Sequence, residues 1–332
     1  KAQFPVAMTA SGPAAGFFRA RTHELIPVVG CYIQPPEAHQ IASAALQWME
    51  QFHILPYDEA TGRGYIRHIF VRKAVVTGQL MACIVANAEE LPKRKQLVAA
   101  LRAAVPALTT IVHNVNTRPG NAILGPTYHT LYGNGYIEDV LCGLTFRLSP
   151  ASFYQVNHHQ AQVLYEKAIE LADLHGTETV LDLYCGTGTI TLAMSRKAGQ
   201  VIGVEVVPQA IEDAKENAQR NHIENSRFFC ADAGAAALQL AAEGIRPDII
   251  TVDPPRKGLS ADVIDAIVQM APRRLVYVSC DPATLARDVK LLEEKGYLYQ
   301  EGKTVDLFPR TKHVETVVLL SKGKVDSKKI RV

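Results

Sequence analysis

From about residue 177 short β-branched apolar runs alternate with longer helical ones, a pattern that few architectures accommodate. Strands are expected at 179–184, 200–205, 227–230, 248–252 and 274–279, with helices at 189–198, 208–221, 234–242, 261–271 and 283–295. Runs that are apolar at nearly every position belong to strands buried on both faces. The expected class is therefore α/β, a Rossmann-like, mainly parallel sheet with helices on both sides. The ending changes character: residues 297–308 and 313–320, joined by Pro309-Arg310-Thr311-Lys312, read as an antiparallel C-terminal hairpin closing the sheet edge.

Residues 1–148 lack that repeat. Strand-like stretches near 65–76, 79–86 and 109–116 and helices near 37–53 and 90–104 describe a smaller α+β domain, and a helix from about 157 to 174 leads into the second domain, 149–332. With 48% hydrophobic and 20% charged residues, both segments should be globular. No run of apolar residues is long enough to span a bilayer, and Lys1-Ala2-Gln3-Phe4-Pro5 opens no secretory segment, so a cytoplasmic protein with no membrane association is expected. The six cysteines include no C-x-x-C pair, which argues against a disulfide scaffold and against a metal site. The net charge of +2 hides a modestly basic first half, and Lys322, Lys324, Lys328, Lys329 and Arg331 make a basic tail. Such an excess can neutralise phosphates, or simply be solvated.

Gly186-Thr187-Gly188 follows the strand ending Asp182-Leu183-Tyr184-Cys185. Glycine lacks the Cβ that blocks close approach, so the loop can pass beneath a ligand. A dinucleotide fingerprint would place a third glycine where Thr191 stands, which disfavours NAD. Glu205, at the end of the next strand, is spaced to accept hydrogen bonds from ribose hydroxyls. An adenosyl cofactor without pyrophosphate fits both facts. Asp232 is placed either to contact the adenine end or to cap the helix after it, and Asp182 either to face the cofactor or to bond loop amides.

Asp253-Pro254-Pro255-Arg256 follows the 248–252 strand, where two prolines stiffen the backbone beneath the carboxylate. Arg256 either pairs a phosphate or braces the loop. Cys280 follows the next strand and precedes Asp281-Pro282, which suggests a thiol at a helix N-terminus whose dipole favours thiolate, opposed by the charge of Asp281. In His313-Val314-Glu315, strand alternation would put His313 and Glu315 on one face, with Glu315 a candidate general base. Phe153 and Tyr154 suit stacking on an extruded base or core packing; Gln155 offers both a donor and an acceptor, and Asn157 suits a helix cap. His158 and His159 read as helix surface.

Taken in order, Ser152 to Asn157, Asp182 to Gly188, Asp253 to Arg256, Ser279 to Pro282 and Asp306 to Glu315 resemble the S-adenosylmethionine-dependent RNA 5-methyluridine (uracil-C5) methyltransferases, over essentially the whole chain. The resemblance implies Cys280 as nucleophile and Glu315 as proton-abstracting base. It implies Gln155, Tyr184, Glu205 and Asp253 as S-adenosylmethionine contacts, Thr189 and Asp232 as weaker ones, and Phe153, Gln155 and Arg256 toward the substrate. It further implies a flipped or single-stranded uridine in RNA gripped by the first domain and the basic tail. The two-domain layout and Asp306-Leu307-Phe308-Pro309 look more like the members acting on 23S ribosomal RNA than those acting on transfer RNA. Many members carry an N-terminal β-barrel and a four-cysteine iron–sulfur motif; Cys31 resembles the fourth ligand without its partners, so no cluster is expected. A monomer is expected. Two other readings stand beside this one: an N-methyltransferase, which needs no thiol, and an RNA-binding module without activity, against which Cys280 and Glu315 speak.

Overall fold

The structure, a computed structural model, describes residues 1–120 and 122–323; the basic tail from Lys324 onward lies outside the described residues. Two compact units emerge, one of residues 1–139 and 147–151, the other of 140–146 and 152 onward. The chain thus passes between units more than once around the boundary expected at 148.

The first unit opens with β1 (Ala2–Thr9), β2 (Gly12–Phe18) and β3 (Leu25–Pro27), followed by α1 (Pro36–Gln51), β4 (Ile66–Lys73) and β5 (Leu80–Ala86). Then come α2 (Arg94–Ala104), β6 (Thr110–Val115) and β7 (Thr127–Tyr132). They form one sheet in the order β3-β2-β1-β4-β5-β6-β7. All its pairs are antiparallel except β5–β6. That parallel pair requires a crossover, and α2 supplies it. Trp48, Met49 and Ile41 of α1 pack with Leu97 and Leu101 of α2 onto Phe4, Ile69 and Ile84 of the sheet to make the core. A hairpin of β8 (Ile137–Leu141) and β9 (Leu144–Leu148) follows, turning through Cys142 and Gly143, which both have positive φ as a two-residue turn demands.

The second unit continues with α3 (His158–Ala172), β10 (Thr179–Asp182), α4 (Thr189–Ser195), β11 (Gln200–Glu205), α5 (Pro208–Arg220) and β12 (Ser226–Cys230). It proceeds through α6 (Ala233–Ala242), β13 (Ile249–Val252), α7 (Ala261–Met270), β14 (Arg274–Ser279) and α8 (Pro282–Glu294) to β15 (Tyr297–Val305) and β16 (Glu315–Lys322). The sheet order is β12-β11-β10-β13-β14-β16-β15, its first five strands parallel and its last two antiparallel. Every residue of β13 is buried, as the apolar run requires of a strand covered on both faces. The expected α/β sheet with an antiparallel closing hairpin is the observed one. Strand order reverses between β10 and β13, so the helices that follow them depart to opposite faces and leave a crevice at the carboxyl ends. No helix among the described residues is long and apolar enough to cross a membrane.

Candidate active site

That crevice opens into a cavity of about 710 Å3. Its first wall comes from the loop between β10 and α4. Gly186 and Gly188 have φ of 54° and 83°, a region side-chain-bearing residues seldom adopt. A Cβ at Gly188 would come within 3.2 Å of Ala214 and 3.3 Å of Leu192, whereas beside Gly186 the space is open. Glu205, the last residue of β11, holds this loop, its Oε2 accepting from the Gly186 N–H at 3.2 Å and its Oε1 from the Val207 N–H at 3.0 Å. Tyr184 and Asp232 line the same end. Asp232 caps α6, its Oδ1 accepting from the Gly234 and Ala235 N–H groups at 3.0 and 3.2 Å, and it does so from the cavity wall. Asp182 is buried beneath the loop, accepting from Thr191 Oγ1 at 2.6 Å and the Tyr184 N–H at 3.4 Å. Thr189 faces the Tyr165 hydroxyl at 3.4 Å and is not among the residues lining the cavity.

The opposite wall carries the reactive groups. Asp253 follows β13, and the loop it begins is fixed from α8 and β14. Asp288, fully buried, accepts from the Leu259 N–H and the Tyr277 hydroxyl, both at 2.7 Å. Arg287 donates to the Lys257 carbonyl at 2.9 Å and the Leu259 carbonyl at 3.3 Å, and pairs with Asp288. Cys280 directly follows β14, and Glu315 opens β16. Because Ser279 pairs with Thr316 in antiparallel register, the next rung sets Cys280 opposite Glu315. Phe153, 67% exposed, and Gln155 reach the same cavity, as do Arg256 and Phe308.

Several neighbours resolve differently from expectation. Tyr154 packs toward Phe146, their ring centroids 6.4 Å apart, so only Phe153 of that aromatic pair lines the cavity. His158 is buried, not surface, its Nε2 at 2.6 Å from the Val140 carbonyl oxygen. His313 precedes β16, so strand alternation does not apply to it, and its ring instead meets Phe308 edge-on. Asp281 consumes the N-terminal donors of α8, accepting from the Ala283 and Thr284 N–H groups at 3.0 and 3.1 Å. Cys280 therefore receives little of the helix-end stabilisation its sequence position suggested.

Electrostatics follow from burial and from two acids beside one thiol. Burial and then Glu315 and Asp253 raise the Cys280 thiol above its ordinary value, and Arg256 pulls it back. Burial, Glu315 and Asp182 push Asp253 up to about 8. Glu315 is also raised, by burial, against the pull of Arg256. The wall holds Glu205, Asp232, Asp253 and Glu315 against Arg256 and Lys257, an acidic excess suited to a cationic guest. Among the described residues no group of three or more His, Cys, Asp or Glu side chains is arranged to hold a metal ion. Phe308, Lys257 and the Tyr277–Asp288–Arg287 brace were not singled out from sequence. Phe308 lay in a block quoted only for its likeness, and a brace assembled from separate elements has no local signature.

Residues 135–323 match the family model described as tRNA (uracil-5-)-methyltransferase. An uncharacterized RNA methyltransferase of Clostridium acetobutylicum is 44% identical over 322 residues, 97% of this chain and 70% of that protein. One of Caldanaerobacter subterraneus is 43% identical over 97% of this chain and 71% of its own length. Among solved structures, the Pyrococcus abyssi tRNA (uracil-54, C5)-methyltransferase in complex with S-adenosyl-L-homocysteine superimposes with a TM-score of 0.80 at 25% identity, over 96% of this chain and 75% of that one.

Proposed function

Since the chain belongs to the tRNA (uracil-5-)-methyltransferase family of S-adenosylmethionine-dependent RNA methyltransferases, we propose that it methylates C5 of a uridine through a transient bond between Cys280 and C6. The observation that carries this reading is the convergence of Cys280, Glu315 and the glycine loop on one cavity.

The residues present fit the methyl donor. The open backbone at Gly186 and the acidic wall suit an adenosyl group joined to a cation. Glu205 would hold the ribose, Asp232 and Tyr184 the adenine end, and Gln155 and Asp253 the methionine end. When bound, S-adenosylmethionine supplies a methyl group made electrophilic by a positive sulfur. Thr189, turned toward Tyr165, would act through the loop that it follows.

Uracil C5 is too poor a nucleophile to accept that methyl unaided. Attack of the Cys280 thiolate forms a sulfur–C6 bond and moves the ring's π electrons toward C5 and O4, creating the carbanion character that methylation needs. The Glu315 carboxylate then takes the C5 proton; the freed pair restores the C5–C6 double bond, and the thiolate leaves. Arg256 acts on both groups, favouring the thiolate and opposing the burial that raises Glu315. A paired uridine would hide C6, so the target is flipped or single-stranded, with Phe153 at the cavity mouth as its stacking partner. The chain acts as a monomer, and the first unit and the basic tail grip the RNA backbone.

Within this reading 23S ribosomal RNA is the proposed substrate, supported by the likeness of Asp306-Leu307-Phe308-Pro309 to that group. Transfer RNA is the second reading, favoured by the Pyrococcus abyssi enzyme named above. Incubation with 5-fluorouridine-substituted 23S or transfer RNA and S-adenosylmethionine, followed by mass analysis, tests both. Fluorine cannot leave as a proton, so a methylated adduct should persist on Cys280 with the correct RNA. Absence of any adduct with either RNA would sink the thiol route, and an adduct with transfer RNA alone would reassign the substrate.

A further inference from the structure

The first unit holds a cavity of about 850 Å3 that methyl transfer leaves unused, walled by the residues before α2, the start of α2, and strands β6 and β7. Helix α2 begins against electrostatic preference. Its N-cap, Lys93, has a positive φ of 52° and makes no side-chain cap, and Arg94 and Lys95 occupy the first turn. The free N–H groups there are already positive, so basic side chains repel them. The fold nonetheless pins this end, with Trp48 Nε1 donating to the Lys93 carbonyl oxygen at 3.3 Å and Leu91 buried beside it. An anion would satisfy the amides and both cations together.

A second observation comes from the opposite wall. His113 is 2% exposed and lines the cavity, yet its Nε2 has no hydrogen-bond partner. An imidazole nitrogen donates or accepts according to its tautomer, so Nε2 can take a hydrogen bond of either sense. The cross-strand neighbour His129 turns its own Nε2 to Glu89 at 3.0 Å. An unpartnered buried nitrogen on a cavity-lining residue marks the place of a ligand's hydrogen-bonding group. Glu90 adds another acceptor to the wall, and Tyr128 an exposed aromatic face.

The complementary ligand is therefore anionic at one end and carries a hydroxyl, able to donate or accept, at the other; a bare phosphate would use only the α2 end. We propose that this cavity binds one ribonucleotide of the substrate RNA, its phosphate at the N-terminus of α2 with Arg94 and Lys95, and its 2′-hydroxyl hydrogen-bonded to His113 Nε2. The proposal rests on the reading of the protein as an RNA methyltransferase. It adds a site that distinguishes RNA from DNA away from the reacting base.

The test is fluorescence anisotropy with a labelled single-stranded oligouridylate and its deoxy counterpart, using the whole chain without cofactor. Arg94→Ala should weaken RNA binding about five- to ten-fold and lower the salt slope by about one. His113→Phe, which keeps an aromatic ring but removes the ring nitrogens, should bring RNA and DNA affinities close to parity. Circular dichroism checks folding, and if the buried His113→Phe variant fails to fold, Arg94→Ala and Lys95→Ala at exposed positions decide alone. Variants that bind RNA as the wild type does, a folded His113→Phe variant that keeps its RNA preference, or a wild type that ignores oligouridylate would each overturn the site. Adduct formation at Cys280 on fluorinated RNA reports the catalytic reading separately.

Discussion

Cys280, the proposed nucleophile, is held above its ordinary pKa by burial and then by two carboxyl groups, and one guanidinium opposes them. Its ionisation is therefore set by neighbours contributed from separate strands, and each contribution has a sign. Arg256→Gln removes the stabilising charge and should move the pH midpoint of Cys280 alkylation by iodoacetamide upward. Asp253→Asn removes a repelling charge and should move it downward. If both variants alkylate with the wild-type profile, the thiol is insulated from these groups. Cys280→Ala should abolish methylation while leaving S-adenosylmethionine affinity, read by calorimetry, within about two-fold, since the thiol bonds to substrate rather than donor. The placement of Cys280, Glu315, Asp253 and Glu205 at strand ends was legible because the strands beside them are recognisable from their apolar runs. The thiol's electrostatics were not, because Glu315 is 35 residues further along the chain and its proximity depends on the β14–β16 register.

Among the elements, the loop from Asp253 to Leu259 owes its shape to helix α8. Asp288 accepts from both the Leu259 amide and the Tyr277 hydroxyl while paired with Arg287, so its loss leaves a buried donor, a buried phenol and a cation unpaired. Asp288→Ala should destabilise the fold by about 3 kcal/mol in urea unfolding, with an unchanged m-value. Tyr277→Phe, which keeps the ring and removes one hydrogen bond, should cost about 1 kcal/mol. Equal losses for the two would show that Asp288 does not organise the loop. Strands of this unit were readable because burial on both faces leaves an uninterrupted apolar run, as in Ile249–Val252. Much of the first sheet was not. β1 contains Pro5, which argues against a strand, and β2 is rich in glycine and alanine because its backbone runs close to β3, where a Cβ on Gly16 would collide with the Ile26 carbonyl. Small residues needed for close packing erased the pattern that marks a strand.

At the scale of the whole molecule, the acidic cavity opposes stability. A carboxyl whose folded pKa lies above its unfolded value stabilises fully only below the unfolded value, and that contribution fades as pH rises toward the folded one. For Asp253 the window runs from about 3.8 to about 8. Asp253→Asn should accordingly raise the melting temperature more at pH 8 than at pH 5, with methylation impaired at both. A gain that does not grow with pH would mean that Asp253 titrates as an ordinary surface acid. Such a trade is expected where chemistry needs charge in a partly closed space.

Glu315 opens the last of the described strands, and that strand runs against the other six of its sheet. On the ribosome the thiol is made first, and the carboxyl proposed to accept the proton follows 35 residues later. Under the proposed chemistry a polypeptide ended between the two would carry an attacking sulfur with no means of completing turnover, and competence would arrive together with the strand that Glu315 opens.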